Sequence, residues 1–350
     1  AASAYRELQS SLVGETAGVF AWFHPTDSID DIALDQLVSA AAGDPAGSYA
    51  GNLVEARASG FRGDYARSFA LLAEAAEKSS APYVIVCAAR KVIVHYEGFT
   101  RERRRPVAAA FLRVMPVALT ELHFSFGAFD NALPMSVGLL ADDPATAATL
   151  KDRLLAIENI YNSLTDKQRS HEQLATRMMI RAYGAAGLHA DQVRFCDTVV
   201  ERDLKSNNYK RHVWEAVGWT AVGLREHGAE AAELAFLRKW AQWRDPVTAD
   251  NTSENFEWLQ VMEYAAYRFQ ERGKFKEAAE LYEKLSRVHE QAKRIDAATG
   301  PDLTKNDYVM LVRGRNALRR GECLEKLGDI DGAVAIYKQV AKDYTGKATI

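Results

Sequence analysis

Residues 317–337, ALRRGECLEKLGDIDGAVAIY, and residues 262–282, MEYAAYRFQERGKFKEAAELY, carry one arrangement of side-chain sizes, and that arrangement decides the fold. In the first stretch Ala317, Gly321, Leu324, Gly328, Ile330, Ala333 and Tyr337 run apolar, small, large, turn glycine, large, small, aromatic. In the second, Met262, Ala266, Phe269, Gly273, Phe275, Ala278 and Tyr282 stand at identical offsets. Small residues on either side of the turn let two antiparallel helices approach closely, and the aromatics fill the space beside them. The glycine ends the first helix by accepting the left-handed conformation of a helix C-terminal cap.

The scheme extends toward the N-terminus. Gly63-Asp64-Tyr65 reads as the same turn, flanked by Ala56 and Leu72, with Ser68 where alanine is usual. Gly187 and Gly228 mark two more turns, preceded by Tyr183 and by Ala221 and Leu224. The steps are 41 residues from Gly187 to Gly228, 45 to Gly273 and 55 to Gly328. This pattern resembles the tetratricopeptide (TPR) family, whose uniform period is 34 residues, so helices or loops are lengthened here. The resemblance covers residues 46–80 and 170–344, with strict motif residues only in the last two units. It implies an all-α fold, an α-solenoid of about six to eight antiparallel helix pairs in a right-handed superhelix.

Between the last two units, Asp296 to Asp302 reads as the loop, Asp302 or Thr304 as the next helix cap, and Glu277 to Arg294 as an unusually long helix. Residues 82–126 contain β-branched runs, Tyr83 to Cys87 and Val92 to Val94, that suit strands. No turn signal separates them, and Ala88 and Ala89 fall about one period beyond Ala56, so a buried helix is expected. Pro106 and Pro116 each open or kink a helix there. The turn-forming residues between Phe124 and Pro144 suggest three parts: irregular helical repeats over 1–126, a loop or boundary over 127–144, and TPR-like repeats over 145–350.

A composition of 48% hydrophobic and 26% charged residues with 9 prolines belongs to a folded chain. Net charge -3 and a pI near 6.3 oppose nucleic-acid binding by phosphate neutralisation. No apolar run is long enough to cross a bilayer. The start Ala1-Ala2-Ser3 suits a trimmed chain or one released from a signal peptide, with export the preferred expectation. Cys87, Cys196 and Cys323 lack metal-ligand spacing and read as small buried side chains. Arg101, Arg103, Arg104 and Arg105 form a solvated helix start, from which Arg101 and Arg104 are candidate contacts to phosphate or an acidic partner.

Sequence motifs for chemistry are missing. His171-Glu172 and His289-Glu290 lack the second histidine of a zinc-protease helix, and no glycine-rich phosphate loop appears. Asp30-Asp31 and Asp142-Asp143 are read as helix caps rather than metal ligands. The aspartate-rich helix motif of an isoprenoid-type toroid is absent, since Asp35 follows Asp30-Asp31 one residue too late. No catalytic residue, metal or cofactor is therefore assigned.

The candidate partner-binding residues are mainly aromatic, with Arg315 beside Arg101 and Arg104 as the charged members. Trp214, Trp219, Trp240, Trp243 and Trp258 cluster within 45 residues, and packing between helix pairs accounts for them most simply. The alternative is that Trp240, Trp243 and Trp258, with Tyr264 and Tyr267, line a groove for an extended peptide. In the TPR family the first helix of each pair faces that groove. The matching positions are Gln260, Glu263, Tyr267 and Gln270, then Arg315, Leu318, Glu322 and Glu325. They lack the lysine- and asparagine-rich set of chaperone-binding members, which disfavours a carboxylate clamp. The resulting expectation is noncatalytic binding of a protein or peptide, as a scaffold or a subunit of a larger assembly, with the last helix meeting a further repeat, another subunit or a removed C-terminal region. Two alternatives stand beside it: a helical enzyme assembled from distant acids and histidines, and a repeat that senses a ligand by changing curvature.

Overall fold

The computed structural model describes residues 49–61, 64–80, 82–95, 99–121, 131–163, 172–205, 212–242, 252–299 and 307–344. They form α-helices and one π-helical segment, with no strand among the described residues. The chain divides into two compact units, Ala1–Gln192 and Val193–Ile350. Among the described residues no helix is long and apolar enough to cross a membrane.

The first unit contains α1 (Tyr49–Phe61), α2 (Tyr65–Lys78) and α3 (Pro82–Ala89), which runs into a π-helical segment, Arg90–His95. It continues with α4 (Arg101–Glu121), α5 (Ala132–Ala141), α6 (Pro144–Ser163) and α7 (Glu172–Ala185). The two β-branched runs are helical, as expected. Ile85 and Val86 of α3 and Val92 and Ile93 of the π-helical segment are buried. Both Pro106 and Pro116 lie inside the single helix α4, which packs against α2, α3, α5 and α6.

One expectation is corrected here. Residues 132–141, placed in a loop or boundary segment, form α5 with Leu133, Val137, Leu139 and Leu140 buried. Apolar residues on most sides of a ten-residue stretch suit a fully packed helix, and this outweighs the Pro134 and Gly138 signals, Pro134 standing in the first turn where it costs no hydrogen bond. The break falls instead at Asp142-Asp143. There the Asp143 carboxylate accepts from the Ala145 N–H at 3.1 Å and starts α6, in keeping with its reading as a cap. Residues 124–130, Asp30-Asp31, Asp302 and Thr304 lie outside the described residues.

Helix α8 (His189–Lys205) reaches into the second unit, which contains α9 (His212–Glu226), α10 (Glu230–Ala241), α11 (Thr252–Glu271), α12 (Phe275–Thr299), α13 (Asp307–Lys326) and α14 (Ile330–Tyr344). Helices α9 to α14 pack as successive neighbours, so α9/α10, α11/α12 and α13/α14 are pairs and each pair packs on the next. Helix α12 runs to Thr299, past the loop start expected at Asp296, because Ala297 and Ala298 favour continued helix.

The turns repeat in atomic detail. Gly187, Gly228, Gly273 and Gly328 have φ of 69°, 74°, 67° and 84°. After each, the next N–H donates to the carbonyl five residues back: Leu188 to Tyr183 at 3.0 Å, Ala229 to Leu224 at 2.8 Å, Lys274 to Phe269 at 2.8 Å and Asp329 to Leu324 at 2.9 Å. Each glycine N–H also donates to the carbonyl three residues back. This is the Schellman arrangement, which satisfies the last free carbonyls of the first helix. Gly63 lies outside the described residues, yet Asp64 donates to the Ser59 carbonyl at 2.9 Å, the same bond in the fifth turn.

Side chains follow the turns. Seven residues before the glycine positions stand Ala56, Ile180, Ala221, Ala266 and Gly321, all buried. A Cβ at Gly321 would strike the Tyr337 ring, so the closest helix approach in the last pair depends on this glycine. Five residues after the glycine positions stand Ser68, Gln192, Glu233, Ala278 and Ala333, also buried. Three of those five are polar.

Candidate functional site

The first helices of the last two pairs, α11 and α13, meet through side chains at a constant offset of 52 residues. Gln270 donates to the Glu322 carboxylate at 2.9 Å and accepts from the Tyr282 hydroxyl at 3.0 Å. Arg315 pairs with Glu263. The Arg319 guanidinium lies 4.9 Å from the centroid of the Tyr267 ring, a cation–π contact. Tyr267 also donates to Glu271, which raises its own pKa and lowers that of the carboxyl. These residues are half-buried or exposed, so they present a face of alternating charge whose members already hold one another.

Beneath that face lies a buried network. Glu233 on α10 is fully buried and receives Arg268 of α11 through two bonds, Nε at 2.7 Å and Nη2 at 2.8 Å. The fork geometry satisfies both carboxylate oxygens at once. Arg268 extends further to Glu271. The half-buried Tyr264 hydroxyl adds a 3.3 Å contact to Glu233, and burial together with that carboxylate's charge pushes the phenol up to about 12.

The candidate residues therefore scatter. Trp240, expected in a binding groove, has no exposed surface; its Nε1 donates to Asp197 at 2.9 Å and Lys239 lies 4.8 Å from its ring centroid. This is a correction: the ring packs inside the second unit, in line with the simpler reading of the tryptophans. Trp243 lies outside the described residues, as does the side chain of Trp258 on α11. Tyr264 turns toward the buried carboxylate, whereas Tyr267 and Arg315 belong to the α11/α13 face. In the first unit Arg101 pairs with Asp142, Arg105 donates to the Leu139 carbonyl at 3.1 Å and Arg103 stacks on Phe99. Arg104 is half-buried with its Nε shielded from solvent and without a partner. The basic run thus mostly fastens α4 to its surroundings.

A feature that sequence reasoning passed over lies on α14. Leu327, Ile330 and Val334 are 49%, 53% and 40% exposed and form an apolar stripe from the end of α13 onto α14. In the last three pairs the residue six after the turn glycine shows a contrast. Leu234 is 9% exposed and Ala279 7%, each on a second helix against which the next pair packs, whereas Val334 at the same position is 40% exposed. The slot lies one residue beyond a compared position in each unit, Val334 after Ala333 and Ala279 after Ala278, so the seven-position comparison did not touch it.

The family comparison accords with the turn geometry. Residues 316–346 match the model of a tetratricopeptide repeat family. The chain is a TPR-like helical repeat protein. Four turns with one bonding pattern, a fifth that shares its longer bond, and common burial offsets carry that assignment beyond the matched segment. Among solved structures it is similar to the nearly identical TPR-like repeats of a kinesin light chain from Podosopora anserina, at 17% identity over 61% of this chain and 96% of that one, with a TM-score of 0.30. No curated protein matches the chain. TPR-like repeats are in general protein-interaction modules. Among the described residues no group of three His, Cys, Asp or Glu side chains could hold a metal ion.

Proposed function

We propose that this TPR-like chain is a noncatalytic binding or assembly module that contacts protein partners through its repeat faces, above all through the apolar stripe of α14. The supporting observation is the contrast at one repeat position of the second unit, where Leu234 and Ala279 are buried and Val334 is exposed. Apolar side chains at a position that the fold otherwise covers are best used by a partner that supplies equivalent cover. The α11/α13 face, with Glu263, Tyr267, Gln270, Arg315 and Glu322, offers polar specificity beside it.

The test uses the intact chain and a variant carrying L327D, I330D and V334D, with K338A on α14 as the surface control. Affinity capture from the native source and sedimentation of the purified protein read partner binding and self-association. Loss of captured partners or of self-association in the triple variant, with unchanged circular dichroism, is the expected result. Identical partners and identical sedimentation for all forms would remove the α14 stripe from the function.

A further inference from the structure

The first unit carries an open cleft of about 510 Å³ between α2, α4 and α6, a volume within the usual range of binding pockets. Its floor is small and apolar, built from Ala109 and Ala110 of α4 and Ala156 of α6. Arg113 of α4 and Arg153 of α6 border it from two different helices. Neither guanidinium has an ion-pair or hydrogen-bond partner among the described residues. That sets them apart from Arg101, Arg238, Arg268, Arg315 and Arg320, all of which are paired. Glu77 of α2 is the acidic lining residue, so the cleft holds an excess of positive charge.

Two unpaired fork-shaped cations beside a lining of small apolar side chains describe one kind of ligand. We propose that the α2/α4/α6 cleft binds an acidic peptide segment with small apolar side chains, its carboxylates held by Arg113 and Arg153 and its backbone amides by Glu77. Guanidinium groups suit this role because they pair with carboxylates through two parallel bonds. The cleft opens to solvent, which lets a continuous chain enter and leave. This inference rests on the protein-binding reading and gives it a partner chemistry at a second place.

The test is fluorescence anisotropy of the full chain with labelled acetyl-Gly-Ala-Glu-Ala-Glu-Ala-Gly-amide, set against the same peptide with glutamine for both glutamates. Binding of the glutamate peptide, weakened about tenfold or more by R113A or R153A, is expected from the loss of one charge-assisted bidentate contact. R113K is expected to bind more weakly than the native chain but better than R113A, since lysine keeps the charge and loses the fork. Arg113 is exposed, so R113A leaves packing intact even if R153A does not fold. Equal affinity for the glutamine peptide, no binding of either peptide, or an unchanged affinity in R113A overturns the proposal. Full competition by inorganic phosphate at the peptide's own concentration would also overturn it, by reducing the cleft to a simple anion site. These variants leave α14 untouched, so a failure here paired with partner loss in the α14 triple variant would sink the cleft alone.

Discussion

The last two helix pairs and the three earlier turns use one backbone for two kinds of interior. In the last two, the buried position five residues after the turn glycine is Ala278 or Ala333. In the earlier three it is Ser68, Gln192 or Glu233, each as buried as the alanines. Only Glu233 is provided for, by the fork of Arg268 and the Tyr264 hydroxyl. The Ser68 Oγ and both amide atoms of Gln192 are buried without a hydrogen-bond partner among the described residues. Turn geometry therefore fixes which position is buried, while the chemistry placed there varies and must find its own compensation.

The largest test of that contrast is at the compensated site. E233A or R268A leaves one buried charge without its partner and is expected to cost about 3–5 kcal/mol in urea unfolding. The double variant E233M/R268M should recover most of the loss, because well-packed apolar groups often replace a buried pair at little cost. If the single substitutions cost under about 1 kcal/mol, the pair is not the organising contact described above.

The uncompensated sites should respond with the opposite sign. S68A is expected to raise stability by about 1 kcal/mol, since it removes a buried hydroxyl without a partner and little volume. Q192M should do likewise while keeping the side chain's volume. A loss of stability in both would mean that those atoms are satisfied.

The effect that is smallest at pH 7 and appears only in alkali concerns the position nine residues after the glycine, where Tyr282 stands in one pair and the buried Cys196 in another. Burial pushes the Cys196 thiol up to about 12 from an ordinary value of 9.0. The unfolded chain thus releases this proton first as pH rises. Stability from Cys196 is fully present below about 9 and lost progressively toward 12, at up to about 1.4 kcal/mol per pH unit. In a C87S background, C196A should flatten that alkaline decline in urea midpoint and change little at pH 7. Rapid alkylation of native Cys196 at pH 8 would contradict the buried, protonated thiol.

Much of this architecture was legible in the sequence. Gly187 and Gly228 are legible as turns from Tyr183, Ala221 and Leu224 before them together with their spacing, and the left-handed glycine with its two backbone bonds is local enough to be written in a few residues. Ser68 was recognised as an alanine substitute in sequence, and it occupies that slot. The polar interior was harder, because Glu233 becomes acceptable only through Arg268, 35 residues on. Helix α5 was obscured by Pro134 and Gly138, residues that signal turns in isolation and are tolerated where a helix is packed on several sides. Candidate binding residues were the least legible. Trp240 carries the aromatic character of an interface anchor and is spent on packing, whereas Arg113 and Arg153 stand in unrelated stretches and border one cleft only because α4 packs on α6.

The two layers of polar contact between repeats also differ in their exposure to dissolved ions. Mobile salt screens the solvent-facing Glu263–Arg315 bridge and reaches the buried Glu233–Arg268 pair far less. Raising ionic strength thus slackens the α11/α13 face while the α10/α11 spine keeps its stiffness. The second unit is in this sense a laminate, with one layer whose compliance follows the surrounding electrolyte and another that holds the register of the repeats.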